Sequence, residues 1–356
     1  MGNRVTIQDI ADELGLSRNT VSKALNNSEG IADATRERII KTAIDMGYRQ
    51  FAYARLAHGQ LAQRSPLIPP AEAGGKTEFA LISTVFVQGS HFASLMLDAF
   101  QREVSQLGYT LNSHRVTQTN IKELSLPMTF DASRVAGIIC VEVFDWPYAD
   151  MLCDLGIPIL FVDSPARTHG ETLRSDELIM DNSTQTSRLI HDMIDGGVTD
   201  IGFVGNWRHC QSFFERYDVF RSVMGREGIP INENWLIREN YFDGIKHALA
   251  HCDKLPRLLL CANDFVALDL IQALRELGYD VPGDIAIAGF DDSAESRRSV
   301  PQLTTIHTHT QIMAFTAVQL LRSRIEEPSL DFRRVCTQTD LIYRESTSTL
   351  HPIERR

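Results

Sequence analysis

The spacing of apolar residues near the start of the chain predicts two short helices separated by a tight turn. One apolar stripe recurs at helical intervals and marks the inner face of the first helix: Ile7, Ile10, Ala11 and Leu14. Thr6 and Asp9 have the spacing of an N-terminal capping pair, and Gly15 stands where the chain must leave the helix. The pattern therefore predicts one complete helix with both of its ends.

A second helix follows at once, with Ser17 as its predicted cap. Its inward residues are Val21, Ala24 and Leu25, and its polar side chains face outward. Such a helix can enter the major groove of DNA, where arginine pairs with guanine and asparagine with adenine. We expect Arg18 and Asn19 to read bases and Lys23 to contact bases or phosphate. The alternative is an ordinary helical hairpin with a solvated polar face.

A third short helix completes a small N-terminal bundle. Its apolar positions are Ile39, Ile40, Ala43 and Ile44, and Gly47 ends it. Arg36 and Arg38 lie on this segment and are available to phosphates. Three helices of this size predict a compact headpiece.

Composition changes at residues 62–78, AQRSPLIPPAEAGGKTE, where three prolines and a Gly-Gly pair predict a linker. Charge changes at the same place. Residues 1–64 carry nine Lys and Arg against seven Asp and Glu, a net charge of +2, while the remainder carries −13. The headpiece is therefore the part of the chain suited to a polyanion.

After the linker, buried-strand runs alternate with helical periodicity, which predicts parallel α/β sheets in two lobes. The predicted strands are Phe79–Val87, Gly137–Val143, Pro158–Val162, Ile201–Val204, Leu258–Cys261 and Ile285–Ala288. Ligands of parallel sheets bind beyond the carboxyl ends of the strands. This rule selects His91, Phe92, Asp145, Trp146, Trp207, Asn263 and Asp291 as pocket candidates. Asp264 is expected instead to cap the helix that follows it.

The six cysteines show no Cys-x-x-Cys spacing and are expected to be core thiols, not metal ligands or disulfides. No cofactor or metal is expected. The N-terminus lacks an apolar signal segment and no stretch reaches membrane-spanning length, which predicts a cytoplasmic protein with no membrane partner. No heptad repeat follows the last strand-like segment, so the expected oligomer is a homodimer.

A series of sequence motifs runs through the chain. The headpiece carries T-I-x-D-I-A, G-L-S-x-x-T-V-S-x-A-L-N, T-R-E-R-I and M-G-Y in register, and later segments are VAGII, GIPILFVD, MDN, IGFVGN, CAND, VPGDIAIAGFDD and QLTTI. In these motifs the chain closely resembles the lactose-repressor (LacI/GalR) family of bacterial transcriptional regulators. The resemblance implies a helix-turn-helix headpiece, a hinge helix, and a two-lobed domain like the periplasmic sugar-binding proteins. It also implies that Leu56 in the hinge wedges between base pairs. The alternative is that Leu56 only packs the hinge on its partner.

The resemblance thus supplies two expected sets of site residues. The DNA-binding set is Thr6, Ser17, Arg18, Asn19, Thr20, Ser22, Lys23, Asn26, Arg55 and Leu56. Carried over position by position, the effector contacts are Arg216, Asn263 and Asp291, with Asp145 as a weaker placement. Trp146, Trp207, Tyr241 or Phe242 would stack on a sugar or base.

These expectations define the domains as follows: a headpiece at 1–49, hinge helix and linker at 50–78, an effector-binding and dimerisation domain at 79–350, and a tail at 351–356. Its N-lobe would span about 79–178 and 308–337, and its C-lobe about 179–307 and 338–350. The expected protein is a dimeric repressor of sugar-utilisation genes that binds an inverted-repeat operator. A nucleoside- or purine-responsive regulator is the alternative.

Two other classes of protein are less well supported. A solute-binding receptor would need export and would have no use for the headpiece. A sugar-processing or phosphotransfer enzyme would need catalytic residues, yet we find no Walker loop, Gly-x-Ser-x-Gly elbow or His-Glu-x-x-His motif. His307 and His309 follow QLTTI, which suggests a structural place in a segment crossing between lobes.

Overall fold

The structure is a computed structural model that describes residues 6–25, 75–84, 91–168 and 170–350, together with residues 32, 35, 38, 39, 42, 43 and 46. Three residues of the expected DNA-binding set, Asn26, Arg55 and Leu56, lie outside the described residues. So do residues 51–74 of the hinge and linker and the tail at 351–356. The chain divides into two compact units, Met1–Ile68 and Pro69–Arg356.

Two helices of the first unit, α1 (Ile7–Leu14) and α2 (Arg18–Leu25), have the ends that the sequence predicts. The Thr6 backbone N–H donates to the Asp9 carboxylate at 2.7 Å, and Thr6 Oγ1 accepts from the Asp9 N–H at 3.3 Å. Gly15 ends α1 with φ 63°, a conformation that favours glycine. The Thr20 N–H donates to Ser17 Oγ at 3.0 Å, which confirms Ser17 as the cap of α2.

A small apolar core joins these helices to the third helical segment. Residues 35, 38, 39, 42 and 43 are helical. The buried side chains of this core are Ile10, Ala11, Val21, Ala24, Ile39 and Ala43. Ile40, Ile44 and Gly47, which also belong to the predicted third helix, lie outside the described residues. The inward face predicted for α1 is thus the face that packs, and so are Val21 and Ala24 of α2. The Leu25 side chain lies outside the described residues.

The second unit contains a six-stranded parallel sheet in the order β2-β1-β3-β4-β5-β11. Its strands are β1 (Glu78–Ser83), β2 (Thr110–Arg115), β3 (Val135–Val141), β4 (Ile159–Val162), β5 (Asp176–Met180) and β11 (Arg334–Thr337). β3, β4 and β5 are buried along their whole length, as expected of parallel strands covered on both faces. We call this sheet and its helices the N-lobe.

A four-stranded parallel sheet forms the C-lobe, in the order β7-β6-β8-β9. Its strands are β6 (Ile201–Val204), β7 (Leu236–Ile237), β8 (Leu258–Cys261) and β9 (Ala286–Ala288). Gly205 follows β6 with φ 136°, and a Cβ there would lie 2.3 Å from Ala262 Cβ. The close approach of the chain at the ends of β6 and β8 therefore requires glycine.

Helices cover both faces of each sheet. They are α3 (His91–Gln106), α4 (Gln118–Glu123), α5 (Trp146–Cys153), α6 (Thr184–Asp195), α7 (Gln211–Arg226), α8 (Phe242–Ala250), α9 (Asp264–Glu276), α10 (Ala294–Arg298) and α11 (Thr310–Glu326), with 3₁₀ turns at Glu233–Trp235 and Glu345–Thr347. In the N-lobe, α3 and α11 share one apolar core and α5 lies in another. In the C-lobe, α6 and α7 pack on one side, and α8 and α9 on the other.

Neighbouring segments join the two lobes. β10 (Thr305–Thr308) pairs antiparallel with β12 (Thr339–Ile342), and His307 lies opposite Asp340. The Asp181 N–H donates to the Thr337 carbonyl at 2.7 Å, and Thr339 Oγ1 donates to the Asp181 carbonyl at 3.0 Å. The segment containing the two histidines thus lies beside the last crossing of the chain.

The predicted strands are confirmed in position, with small shifts at their ends. β3 begins two residues before the predicted Gly137 and ends at Val141. The prediction missed β2, β5, β7, β10 and β11, whereas β12 overlaps the last strand-like segment of the sequence, DLIYRES at 340–346. β2 reads TLNSHR, with exposed or half-exposed residues at five of its six positions, so it lacks the apolar run by which buried strands are recognised. β11 is likewise an edge strand with three residues that are not buried.

All six cysteines are free thiols. Cys140, Cys210 and Cys261 are buried, as expected of core thiols, and burial raises the pKa of each well above its usual value. The prediction is wrong for Cys336, which is exposed because it lies on the edge strand β11. Within the described part of the chain, no group of three or more His, Cys, Asp or Glu side chains could hold a metal ion.

Candidate functional site

A cavity of about 430 Å³ lies between the two sheets, at the carboxyl ends of their strands. The rule for parallel sheets predicts a ligand site in this place. Its N-lobe lining follows β1, β3, β4 and β5, and its C-lobe lining follows β6, β7, β8 and β9. The lining residues are Thr84, Glu142, Phe144, Val162, Asp163, Met180, His209, Cys210, Ser212, Phe213, Arg216, Asn240, Tyr241, Asn263, Phe265, Val266, Asp269 and Asp291.

Arg216 on α7 is the buried cation of this cleft. Its Nε donates to Asn182 Oδ1 at 2.9 Å and one terminal nitrogen donates to the Ala262 carbonyl at 2.6 Å. The guanidinium carbon lies 3.4 Å from the centroid of the Phe290 ring, a cation–π contact. Burial lowers the pKa of Arg216, and nearby carboxylates, Asp291 first, oppose that shift. The side chain is thus held in one orientation at the base of the cleft.

Asp291 follows β9 and lies 3.9 Å from the other terminal nitrogen of Arg216. Its backbone has φ 111°, a strained conformation for a residue with a side chain. Burial raises the pKa of Asp291 to about 7, because the attraction of Arg216 does not offset desolvation and the nearby acidic groups. Near neutral pH this carboxyl group can therefore both accept and donate a hydrogen bond.

Asp163, at the end of β4, is a buried cleft residue absent from the predicted set. Its Oδ1 accepts from the backbone N–H groups of Ser164 at 2.9 Å and Ser212 at 3.1 Å. Burial raises its pKa, while hydrogen bonds, that of the Cys210 thiol first, oppose the rise. The signal that would have found Asp163 is its position just after the apolar run of β4, within the GIPILFVD match.

Asn263 lines the cleft and also caps α9. Its Oδ1 accepts from the Val266 N–H at 3.0 Å, so its amide nitrogen is the group left for a ligand. The prediction that Asp264 caps this helix is wrong. The Asp264 carboxylate is buried and instead accepts from the Ser293 N–H at 2.7 Å and the Thr305 hydroxyl at 2.6 Å. Asp264 thereby joins α9 to the strand β10.

The structure brings four of the seven predicted effector residues together: Arg216, Tyr241, Asn263 and Asp291. Tyr241 is 74% exposed, so it lies at the mouth of the cleft. The other three predicted residues do not belong to the lining. Asp145 caps α5 by accepting from the Tyr148 N–H at 3.0 Å, and Trp146 Nε1 donates to the Ala166 carbonyl at 2.9 Å. Trp207 stacks on Tyr217, with ring centroids 4.2 Å apart.

Three phenylalanines of the lining were not predicted: Phe144, Phe213 and Phe265. Phe144 of the N-lobe meets His209 of the C-lobe edge to face at 5.0 Å. Burial lowers the pKa of His209, which favours its neutral form. Phe242 packs against the apolar core of α8 and α9. The side chains of His91 and Phe92 lie outside the described residues.

In the headpiece, the predicted DNA-reading side chains lie on the outer face of α2. Arg18, Asn19 and Lys23 are exposed, and Thr20 and Ser22 are half-buried. The Ser17 and Thr20 hydroxyls are 2.8 Å apart and hydrogen-bonded to each other. The Thr6 hydroxyl belongs to the capping of α1. Hydroxyl groups thus shape the helix ends, and two basic residues and one amide form the solvent-facing surface.

A helix-turn-helix unit and a separate two-lobed unit with a polar cleft define a DNA-binding regulator that responds to a small molecule. The family comparisons agree. Residues 6–50 match the model of bacterial regulatory proteins of the lacI family, and residues 190–347 match the periplasmic binding protein-like domain. The chain belongs to the LacI/GalR family.

Curated relatives match along almost the entire chain. The transcriptional repressor PurR of Pasteurella multocida (strain Pm70) is 28% identical over 355 residues, covering 97% of this chain and 99% of the relative. The transcriptional regulator GalR of Lacticaseibacillus casei is 27% identical over 354 residues, covering 96% and 99%. This chain is accordingly a ligand-responsive, DNA-binding transcriptional repressor, and its relatives are not enzymes.

Solved structures share the fold. The complex of the transcriptional regulator CelR with cellobiose has a TM-score of 0.64 at 21% identity, covering 96% of this chain and all of that chain. The lac repressor dimer bound to operator and the anti-inducer ONPF has a TM-score of 0.62 at 22% identity, covering 97% and 99%. Among the residues that the structure describes, no helix is both long enough and apolar enough to cross a membrane.

Proposed function

We propose that this repressor binds an inverted-repeat operator as a homodimer and that an uncharged, hydroxyl-rich effector, in the first instance a sugar, occupies the cleft. The observation that carries the effector class is the excess of acceptors. Four carboxylates lie in the described lining, at Glu142, Asp163, Asp269 and Asp291, against the single guanidinium of Arg216. Sugar hydroxyls can hydrogen-bond to carboxyl groups in either protonation state, whereas an anionic effector would be repelled by those that are ionised.

The two hydrogen-bond donors considered next, Arg216 and Asn263, are already oriented by contacts within the protein. Arg216 uses two of its nitrogens on Asn182 and Ala262, which leaves the nitrogen nearest Asp291 for a ligand. Asn263 offers its amide nitrogen. A guanidinium and a carboxylate side by side suit two vicinal hydroxyls, one accepting and one donating. The apolar rings of Phe144, Phe213 and Phe265 can cover a sugar face.

A purine or nucleoside is the second candidate. Relatives named PurR favour it, and the three phenylalanines could stack on a planar base. A relative named GalR and structures with bound cellobiose or ribose favour a sugar. The relatives named PurR and GalR have nearly equal sequence identity to this chain, so they do not rank the two candidates. We place the sugar first because of the excess of hydrogen-bond acceptors in the cleft.

The proposed mechanism uses the two lobes. Effector binding closes the cleft, the N-lobes of the dimer shift relative to one another, and the docking of the hinge (50–78) and headpiece (1–49) on DNA changes. Only a difference in effector affinity between the two arrangements can drive this change. On the operator, Arg18 and Asn19 read bases and Lys23 contacts bases or phosphate, while two headpieces occupy two half-sites. We also propose that the chain crosses between the lobes near residues 178–179, 307–308 and 337–338.

Isothermal titration calorimetry on the full chain tests the effector class. The probes are D-galactose, D-ribose, cellobiose, hypoxanthine and adenosine, with glucose 6-phosphate as the anionic control. Saturable heat from one neutral sugar, and none from the phosphate, supports the proposal. Heat from hypoxanthine or adenosine alone would establish the second candidate, and tight binding of the phosphate would overturn the electrostatic argument.

Fluorescence anisotropy with an inverted-repeat operator, selected from random sequences, tests the DNA part. Two protomers per operator and a titration shifted by the bound probe are expected. Tight binding of a monomer to a half-site would contradict the dimer.

A further inference from the structure

A continuous chain of polar contacts runs from the cleft to the edge of the N-lobe sheet. Arg216 Nε donates to Asn182 Oδ1 at 2.9 Å, and Asn182 Nδ2 donates to Glu215 Oε2 at 2.8 Å. The other Glu215 oxygen accepts from Arg334 on β11. Together with Asp291 beside Arg216, these residues form what we call the interlobe chain: Asp291, Arg216, Asn182, Glu215 and Arg334.

The direction of each hydrogen bond in the interlobe chain is fixed by chemistry. Arginine can only donate and a carboxylate can only accept, so the Asn182 amide must turn its oxygen to Arg216 and its nitrogen to Glu215. Asn182 is 1% exposed, and a reversed amide would place donors against donors and acceptors against acceptors. The buried Asn182 amide thus joins the side chains of Arg216 and Glu215, which are consecutive residues of α7.

Arg334 has two acidic neighbours, one on each lobe. Glu215 belongs to α7 of the C-lobe, whereas Glu177 is the residue paired with Arg334 in register on β5 of its own sheet. Arg334 Nε lies 3.6 Å from Glu177 Oε2, which is a looser contact than that with Glu215. Glu177 is also held by Arg167. If Arg334 separates from Glu215 on the opposite lobe, it therefore keeps an ionic partner on its own lobe.

We propose that Glu215 and Arg334 form a latch that couples occupancy of the effector cleft to the contact between the lobes, with Glu177 as the alternative partner of Arg334. Glu215 and Arg334 are positioning residues, because neither belongs to the lining of the cleft. The latch favours the arrangement in which the N-terminal end of α7 contacts the segment after β4 across the cleft. This inference rests on the proposed function, since it requires an effector in the cleft.

Two hydrogen bonds that backbone amides of α7 donate to the other lobe allow the latch to be tested without any effector. The Gln211 N–H donates to the Ser164 carbonyl at 2.8 Å, and the Ser212 N–H donates to Asp163 Oδ1 at 3.1 Å. Both donors lie at the N-terminal end of α7, just before Glu215. If the latch holds the lobes together, breaking it exposes these two amides to solvent more often.

The test compares Arg334→Met with Arg334→Lys, which keeps the positive charge, in the full chain. Arg322→Met is the matched control, because Arg322 pairs with Glu326 at 2.7 Å within α11 and is not a member of the interlobe chain. Hydrogen exchange measured by mass spectrometry should be about fivefold faster over Gln211 and Ser212 in Arg334→Met and Glu215→Gln, as expected for a partly exposed ion pair. Arg334→Lys should restore much of the protection.

Calorimetry then tests whether the latch affects effector binding. The probe is whichever of D-galactose, D-ribose, cellobiose, hypoxanthine or adenosine gives binding heat with the unmodified protein. Arg334→Met and Glu215→Gln should each weaken its binding about fivefold, and the double variant should be no weaker than either single variant. Unchanged exchange at Gln211 and Ser212, or additive effects in the double variant, would overturn the latch. If hydrogen exchange is faster in the variants but no probe gives binding heat with the unmodified protein, the latch is supported and the proposed effector classes are contradicted.

Discussion

The Asp291 carboxylate and the Arg216 guanidinium lie 3.9 Å apart in the cleft, too far for a direct hydrogen bond and close enough for mutual attraction. The separation leaves both groups with hydrogen-bonding capacity directed at the same space. Because Asp291 is also near Asp163, Glu142 and Asp264, its charge is only partly balanced, and its pKa rises to about 7. An ionisable group in this state is sensitive to what enters the cleft.

The first prediction concerns pH. Asp291 keeps its proton in the folded protein up to about pH 7, whereas the unfolded carboxyl group titrates near 3.8. The folded state thus binds more protons between these values, so the stability contributed by protonated Asp291 is lost as pH rises through about 7. Relative to Asp291→Asn, the unmodified protein should lose up to about 1.4 kcal/mol of unfolding free energy per pH unit in this window.

Urea unfolding from pH 4 to pH 8 measures the difference between the two proteins. Asp98→Asn, which removes an exposed carboxylate on α3, controls for the general loss of a charge. A difference between unmodified protein and Asp291→Asn that stays flat with pH would show that Asp291 ionises normally in the fold.

The second prediction concerns a buried ion pair that fixes the N-lobe. Asp176 on β5 is fully buried and accepts from Arg324 at 2.9 and 3.0 Å and from Arg333 at 2.8 to 3.3 Å. Burial alone would raise the pKa of Asp176, but these hydrogen bonds outweigh it and lower the pKa. Asp176→Asn leaves Arg324 charged, buried and without its counterion, which should cost about 3–5 kcal/mol.

Arg322→Gln is the control, since it breaks an exposed pair on the same helix and should cost no more than about 0.5 kcal/mol. Chemical denaturation of both variants measures the contrast. Equal stabilities for the two variants would mean that the carbonyl groups around Arg324 suffice to hold its charge.

The third prediction concerns recognition in the cleft. Arg216→Lys keeps the charge but loses the planar fork that contacts Asn182, Ala262 and the ligand space together. The affinity for the effector found by calorimetry should fall about 10- to 100-fold, the cost of a lost charged hydrogen bond. Arg221→Lys, on the same helix but with its guanidinium on the Tyr217 hydroxyl, should bind as the unmodified protein does. Equal effector affinities of Arg216→Lys and Arg221→Lys would show that Arg216 does not contact the effector.

Much of this fold is predictable from apolar patterns, because burial imposes them. β3 and β4 are seven- and four-residue runs buried at every position, and their sequences show it. β2 and β11 escape detection because they are edge strands with solvated side chains. α1 was predictable to its last residue, since Thr6, Asp9 and Gly15 each have a local chemical reason for their place.

From the sequence, site residues could be predicted only by their position after the ends of the buried strands. Asn263 lies two residues after β8 and Asp291 three residues after β9, and the structure places both in the cleft. Trp146 and Trp207 also follow strands, but their rings are engaged by Ala166 and Tyr217. Sequence position shows which edge of a sheet a residue occupies and does not show which partner its side chain finds. Asp163 was missed because a carboxylate after a buried strand is equally suited to a turn.

The fourth prediction separates base reading from phosphate contact on α2. Arg18, Asn19 and Lys23 are all exposed, so alanine at these positions should leave the headpiece core of Ile10, Val21 and Ile39 intact. Arg18→Ala or Asn19→Ala should weaken binding to the selected operator by about 1–3 kcal/mol and change the preferred base at one position in each half-site. Lys23→Ala, if Lys23 contacts phosphate, should weaken binding to all sequences alike and reduce the salt dependence by about one ion.

Anisotropy titrations at several salt concentrations, on the operator and on unrelated duplex DNA, distinguish these outcomes. Glu13→Ala, an exposed substitution on α1, serves as the control for a change on the headpiece surface. A purely electrostatic headpiece would lose affinity equally for both duplexes in Arg18→Ala and Lys23→Ala, because phosphate contacts carry no sequence information. It would keep its affinity in Asn19→Ala, which removes no charge. Loss confined to the operator in Arg18→Ala and Asn19→Ala would instead assign base reading to the first turn of α2.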